Sequence, residues 1–206
     1  MSDPLTALTA TVLSAMLAWV PLDQQAANGE SETDAQARYA SIAHDISSAV
    51  LSEDPLFGSH LKTALELASI ASFESGFQRV VDNGTCNLPS HKADARGSCD
   101  SKQAFTLWQI HANTGGGLML LNSGVTSKQY DRERAAQHPE EVWTGDRLVH
   151  DRRAAAILAL HLVRASYSSA HSLCHFSGES CASGAHPKAD ARHARAVEYL
   201  RTHTPE

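Results

Sequence analysis

Apolar residues along the chain recur mainly at helical spacing, and alternating patterns are scarce. Pro4 to Leu22 carries no charge and predicts a first helix, diluted by Thr, Ser and Ala. Pro21 to Asn28 is a polar break, and Gly29 to Asp34 is an acidic lead-in with Ser and Thr available for capping. Tyr39, Ile42, Ala43, Ile46, Ala49 and Val50 then mark one face of a second helix, which Pro55 closes. Phe57 to Phe73 predicts a third helix, apolar and Ala-rich over Leu65 to Ala71, which ends on Glu74 just before Gly76. The helical period vanishes between Gln78 and Lys102. There Asp82-Asn83-Gly84 and Arg96-Gly97 are turn signals, so a loop or small hairpin excursion is expected. Gln103 to Ala112 reads as a short helix or turn, broken by Thr114-Gly115-Gly116-Gly117. Leu118 to Leu121 is apolar, and Thr126 to Glu141 is charged and expected to be exposed.

From Asp146 to about Ser169 the spacing predicts one long helix, with Val149, Ala156, Leu160, Val163 and Tyr167 on one side. His171 to His186 is a loop. Pro187 to Thr202 is a final helix with Ala194, Val197 and Leu200 expected to face in. No repeat or clear linker divides the chain. The expectation is a mainly α protein: residues 1–28 form an N-terminal helix and break, packed on the domain or serving as an atypical export or anchor segment, and residues 29–206 form the main domain.

At 206 residues the chain is long enough for a proper core. A formal charge of −6 argues against nucleic acid as a partner and offers no general attraction to anionic surfaces. Four cysteines fall in two short-range pairs, Cys86 with Cys99 and Cys174 with Cys181, both in Gly- and Ser-rich sequence. Neither pair has CxxC spacing. Two disulfides are expected, which would place the protein outside a reducing cytosol. Free thiols are the first alternative, and a zinc site around Cys174, with His171, His175, Cys181 and His186 close in sequence, is the second. Asp3 stands where a standard signal peptide would carry Lys or Arg, so a buried first helix is the preferred reading of Pro4 to Leu22.

Glu74 is the candidate chemical group. Leu67, Ile70 and Ala71 lie seven, four and three positions before it, on the same helical face. A carboxylate in such company is poorly solvated, so its protonated form is favoured and its pKa is expected to rise. That would suit it to give up a proton near neutral pH. The plainer alternative is a partly exposed Glu in the last turn of an ordinary helix.

Three separated pieces carry a resemblance. They are Ala71-Ser72-Phe73-Glu74-Ser75-Gly76-Phe77, then Ala104-Phe105-Thr106-Leu107-Trp108-Gln109-Ile110-His111, then His175-Phe176-Ser177-Gly178. Together they resemble the goose-type lysozyme and lytic transglycosylase superfamily, with its Glu-Ser, Gly-Leu-x-Gln and late Tyr-Asn-x-Gly-like motifs. Thr106 stands where that family has Gly, Phe176 where it has Tyr, and Ser177 where it has Asn. The missing hydroxyl at Phe176 would otherwise reach the catalytic carboxylate.

The resemblance implies a lysozyme-like helical domain with the excursion between the first two motifs. It also implies cleavage of the β-1,4 bond between N-acetylmuramic acid and N-acetylglucosamine in peptidoglycan. Glu74 would be the general acid and base, and Ser75, Gln109, Ile110 and Phe176 would bind substrate or hold Glu74. A glycosidase pair needs a second carboxylate about 5 to 9 Å away. Asp82, Asp94 and Asp100 are the candidates, none singled out by spacing. Transglycosylases of this kind need none, because the sugar's own 6-hydroxyl attacks, and that outcome is the preferred one over a hydrolytic muramidase. Trp108 reads as core, and His111 and the other histidines show no catalytic pairing.

The implied protein is an extracytoplasmic monomer, periplasmic, secreted or phage-delivered. It acts on glycan strands with no cofactor, no metal, no nucleic acid and no stable membrane insertion. Thr106 and Phe176 also favour a second class, a wall-binding or virion protein that kept the fold and lost turnover. A zinc-dependent hydrolase using the His171 to His186 cluster is the third.

Overall fold

Ten consecutive residues of one helix, Thr63 to Ser72, are buried. A helix without a wet face has to be surrounded by other elements, and this one, α4 (His60–Glu74), is the axis of the protein. The structure is a computed structural model that describes residues 3–87, 104–111, 119–120, 136–137, 142–143, 145–177, 179–180, 182 and 184–203. The described residues are mainly helical.

Helix α1 (Pro4–Trp19) is started by the Asp3 carboxylate, which accepts from the Thr6 amide at 3.1 Å, and its buried residues are Leu8, Val12, Ala15 and Met16. It packs on α3 (Glu32–Leu51) and on α4. Ser31 caps α3 through the Asp34 amide, and Ser59 caps α4 through the Lys62 amide. The sequence-derived stripe on α3 is buried throughout: Tyr39, Ile42, Ala43, Ile46, Ala49 and Val50. No described helix is long and apolar enough to cross a membrane.

Several boundaries differ from the sequence reading. The polar break after Leu22 contains a short helix, α2 (Leu22–Ala26), whose Gln25 is buried. The third helix starts at His60 rather than Phe57. Leu56–Gly58 is instead a 3-10 turn, in which Phe57 takes φ +57°. Arg79–Asp82 forms a single helical turn, α5, and Thr85–Asn87 a 3-10 turn; residues 88–103 of the expected excursion lie outside the described residues.

Ala104 to His111 is neither helix nor plain turn but a hairpin. Strand β1 (Ala104–Phe105) pairs antiparallel with β2 (Ile110–His111). A second short ladder joins β3 (Met119–Leu120) to β4 (Val142–Trp143), also antiparallel. The long helix expected from Asp146 is two helices, α6 (Gly145–His150) and α7 (Arg152–Ala170). Asp151 divides them, because its side chain accepts from the Ala154 amide at 2.9 Å and so begins a new helix. Gly145 is required at this corner, since a Cβ there would lie 2.2 Å from the Phe105 ring.

The loop after His171 holds one further turn, α8 (Cys174–Ser177), packed on α7 and on the last helix, α9 (Pro187–His203). The face of α9 is the largest correction. Its buried residues are Ala189, Arg192, Ala196 and Tyr199, whereas Ala194 is exposed and Val197 is 48% exposed; of the three residues expected to face in, Leu200 alone packs on the core, half-buried. The helix is rotated away from its most apolar stripe because Arg192 has a partner inside.

Cys86 and Cys174 are buried, and neither is a free thiol. Cys99 and Cys181, their expected partners, lie outside the described residues. The expected metal alternative also uses Cys181. Among the described residues, no group of three or more His, Cys, Asp or Glu is arranged to hold a metal ion.

Candidate functional site

Glu74 is the last residue of α4, and the chain turns sharply after it. Ser75 is buried. Its hydroxyl donates to the Ala71 carbonyl at 2.8 Å and accepts from the Phe77 amide at 3.2 Å. Gly76 and Phe77 both take positive φ, +57° and +53°, and the turn drives the Phe77 ring into the core, 5.3 Å from Tyr39. A residue with a side chain pays for that backbone conformation, and the fully buried Phe77 ring offsets the cost.

The turn is clamped from the N-terminal side. The Gln25 amide donates both to the Gly76 carbonyl at 2.8 Å and to the Tyr39 hydroxyl at 2.9 Å, and that hydroxyl donates to the Val20 carbonyl at 3.2 Å. Burial pushes the Tyr39 phenol up to about 12. Gln25 gave no sequence signal, since it sits in a polar stretch that read as a loop.

Across from Glu74 stands Arg192. Its Nε donates to Glu74 Oε1 at 3.0 Å, its Nη2 bonds the same oxygen, and its Nη1 donates to the Lys188 carbonyl at 2.7 Å. The two side chains are only 9% and 18% exposed, so the pair is largely shielded from water. Leu67, Ile70 and Ala71 are buried as expected. The apolar flank was legible from spacing, but the cation was not.

Two contacts fix the helix that carries Arg192. The Ser69 hydroxyl donates to the Arg192 carbonyl at 2.6 Å, and Arg195 Nη1 donates to the Ser72 hydroxyl at 2.7 Å. Further along, the Glu179 carboxylate accepts from the Lys188 and Ala189 amides, at 3.0 and 2.9 Å, and from the Ser177 hydroxyl at 2.8 Å. It therefore grips the free amides at the start of α9. Desolvation works against its charge, but those three donors outweigh it and hold the carboxyl below its ordinary range.

The hairpin docks on the same axis. Trp108 is 1% exposed, and its indole Nε1 donates to the Leu67 carbonyl at 3.0 Å. That grip is two turns before Glu74, about 10 Å back along the helix. Between the strands, Thr106 and Gln109 take φ +67° and +49°. Thr106 is thus a β-branched residue in the left-handed region that favours glycine, an arrangement costing on the order of 1–2 kcal/mol. Gln109 is half-buried, its amide donating to the Thr106 carbonyl at 3.1 Å, and Ile110 is buried at 3% exposure. Phe176 lies on α8.

Of the candidate second carboxylates, Asp94 and Asp100 lie outside the described residues. Asp82 is buried and engaged: Arg152 donates to its two oxygens from Nε and Nη2, at 2.8 and 2.9 Å, and Arg38 lies 3.7 Å away. Arg152 also reaches Asp45 at 2.7 Å, and Arg38 reaches Glu30 at 2.7 Å. This network ties α3, α5 and α7 together and leaves Asp82 a structural role.

A second acidic group on α4 had no place in the sequence reading. Glu66 is 2% exposed, and its carboxylate meets His193 Nδ1 at 3.0 Å and the Tyr167 hydroxyl at 3.4 Å. The bond to Glu66 raises the His193 pKa, burial opposes this, and the charges of Glu66 and Asp190 add to the rise. Burial, with the nearby Glu66 charge, pushes the Tyr167 phenol up as well. The available signal was Glu66 itself, a charge inside a run whose every neighbour is buried.

No protein-family model, curated protein or solved structure matches the chain.

Proposed function

We propose that this protein acts on peptidoglycan glycan strands, cleaving the bond between N-acetylmuramic acid and N-acetylglucosamine with Glu74 as general acid and base. The observation that carries the reading is the placement of Glu74 at the end of a helix buried over ten consecutive residues, the helix that Trp108 of the second motif grips. Thr106 adds to it: the position where the resembled family has Gly is held in the backbone region that favours Gly.

In this mechanism Glu74 protonates the departing glycosidic oxygen as the C1–O bond breaks and positive charge develops on the ring. The sugar's 6-hydroxyl then attacks C1 while Glu74 takes its proton. A 1,6-anhydro end results, and Glu74 is again protonated for the next cycle. Asp82 is committed to Arg152 and so is not the second carboxylate of a hydrolase, and the one-carboxylate transglycosylase remains the preferred reading. Substrate must also draw Arg192 off Glu74, because the guanidinium occupies the carboxylate oxygen that would face the sugar. The protein would work outside the cytosol, on the wall, as a lysozyme-like domain.

The Glu74–Arg192 pair favours a second reading, a wall-binding protein without turnover. Digestion of purified peptidoglycan followed by mass spectrometry separates the two. Anhydro ends that vanish in Glu74→Gln support the transglycosylase, and reducing ends support a muramidase. Strand binding without new ends supports the second reading.

A further inference from the structure

Beside Glu74 lies a positive charge that nothing in the described structure balances. Arg192 and Arg195 sit three residues apart on α9, and both cover the ring of Phe73, at 5.3 and 3.9 Å from its centroid. Among the described residues Glu74 is the one carboxylate paired with either, and it is taken by Arg192, while Glu198 on the same helix is paired with Arg201. Arg195 meets a single acceptor there, the neutral Ser72 hydroxyl. Its pKa is lowered by burial and by the neighbouring Arg192, the signature of a cation short of a counter-charge.

Phe73 is 40% exposed, one of the few large apolar side chains left open to water among the described residues, and it precedes Glu74 directly. Half-buried guanidinium and exposed ring therefore form one patch at the end of α4, in a chain whose formal charge is −6. The Ser72 hydroxyl beneath is buried and donates to the Ser69 carbonyl at 2.6 Å. A planar guanidinium has five donors in a fork that matches a carboxylate, and a ring beneath it keeps that fork flat. The exposed edge of the ring offers apolar surface to whatever carries the anion.

We infer that Arg195 and Phe73 form a carboxylate-binding subsite beside Glu74, which selects wall strands by the carboxylates they carry. The inference rests on the proposed action on peptidoglycan. Two sources share the chemistry: the lactyl carboxylate of muramic acid where the peptide is absent, and the free carboxylates of the stem peptide where it is present.

The test is calorimetric titration of the full chain with four probes. They are the disaccharide of N-acetylglucosamine and N-acetylmuramic acid, its lactyl amide, a muramyl peptide fragment, and the same fragment with its carboxylates amidated. At least one acid form should bind about ten-fold tighter than its amide or more, as a charge-assisted bond to Arg195 requires. The acid form that gains identifies the source. Arg195→Gln, which keeps a donor for Ser72, should reduce the difference to under two-fold. Equal binding of acid and amide, no binding of either, or an undiminished difference in a folded Arg195→Gln protein would each overturn the inference. The acid–amide comparison needs only the wild type, so it stands if the variant fails to fold. Failure here leaves the digestion experiment untouched, and a wall binder without turnover would still show the acid–amide difference.

Discussion

Replacing Arg192 by Met removes the cation opposite Glu74 and keeps most of the apolar stem. In the wild type that guanidinium makes bonds to Glu74 and to the Lys188 carbonyl. A fully buried pair costs about 3–5 kcal/mol when one partner is deleted, and a fully exposed one costs about 0–1. At 9% and 18% exposure this pair belongs nearer the buried end. Discounting for the water that reaches Glu74 gives a loss of roughly 2–3 kcal/mol. For a chain of this length each kcal/mol moves the midpoint by about 2–4 °C, so Tm should fall by roughly 4–12 °C.

Part of that loss belongs to Lys188 and to packing on Phe73, which a double-mutant cycle removes. Glu74→Gln alone, Arg192→Met alone and the two combined should reveal a coupling of about 1–2 kcal/mol in urea unfolding. With Gln at position 74, removing Arg192 no longer strands a shielded carboxylate, so Arg192→Met costs less there than in the wild type. Strictly additive losses would refute the pair as a stabilising contact and, with it, the argument that α9 is turned by Arg192.

Trp108→Phe removes the indole donor to Leu67 and leaves a small void, and should cost about 1–3 kcal/mol by urea midpoint; a loss under about 0.5 would mean the hairpin does not lean on α4. Non-reducing peptide mapping should join Cys86 to Cys99 and Cys174 to Cys181, each crosslink being worth on the order of 2–3 kcal/mol, and four alkylatable thiols in protein from its native compartment would overturn the extracytoplasmic placement. The folded-state pKa of His193 is raised, so its bond with Glu66 contributes stability in full below about pH 6.5 and loses it as pH rises through the folded value. Comparing Tm against pH for wild type and His193→Gln should show a downward slope through that window in the wild type alone, and parallel curves would remove His193 from the contact.

The axis of the fold was legible because its signal is one-dimensional. An apolar run that ends on a charge and a glycine announces both a buried helix and its last turn, and α4 with Glu74 follows that rule. The stripe on α3 was readable for the same reason. Helix α9 was not. Hydropathy assigns the inward face to Ala194, Val197 and Leu200, but an arginine with a waiting carboxylate turns inward at less cost than its charge suggests. The partner lies 118 residues away in the chain, and no local pattern reports it.

Gln25 and Glu66 were missed for a related reason. A buried polar residue is defined by what it bonds, and its bonds are long-range. Asp151 shows the reverse failure: a helical period runs straight through a residue whose side chain starts a new helix. Strands of two residues, as in the hairpin that carries Gln109, are too short to show any period.

The two halves of the Glu74–Arg192 pair are held with unequal firmness. Glu74 ends a helix enclosed by α1, α3, α7 and α9, and displacing it means disturbing the core itself. Arg192 rides on a helix packed by one face alone, with Ala189, Ala196 and Tyr199 buried, Tyr199 against Trp19 at 5.6 Å, and Val197 and Glu198 open to solvent. Local opening starts where few apolar contacts hold an element down. Amide exchange should therefore be faster along α9, which buries one face, than along α4, where it should approach the global limit. When this ion pair parts in the native protein, the arginine leaves and the carboxylate stays where the core has put it.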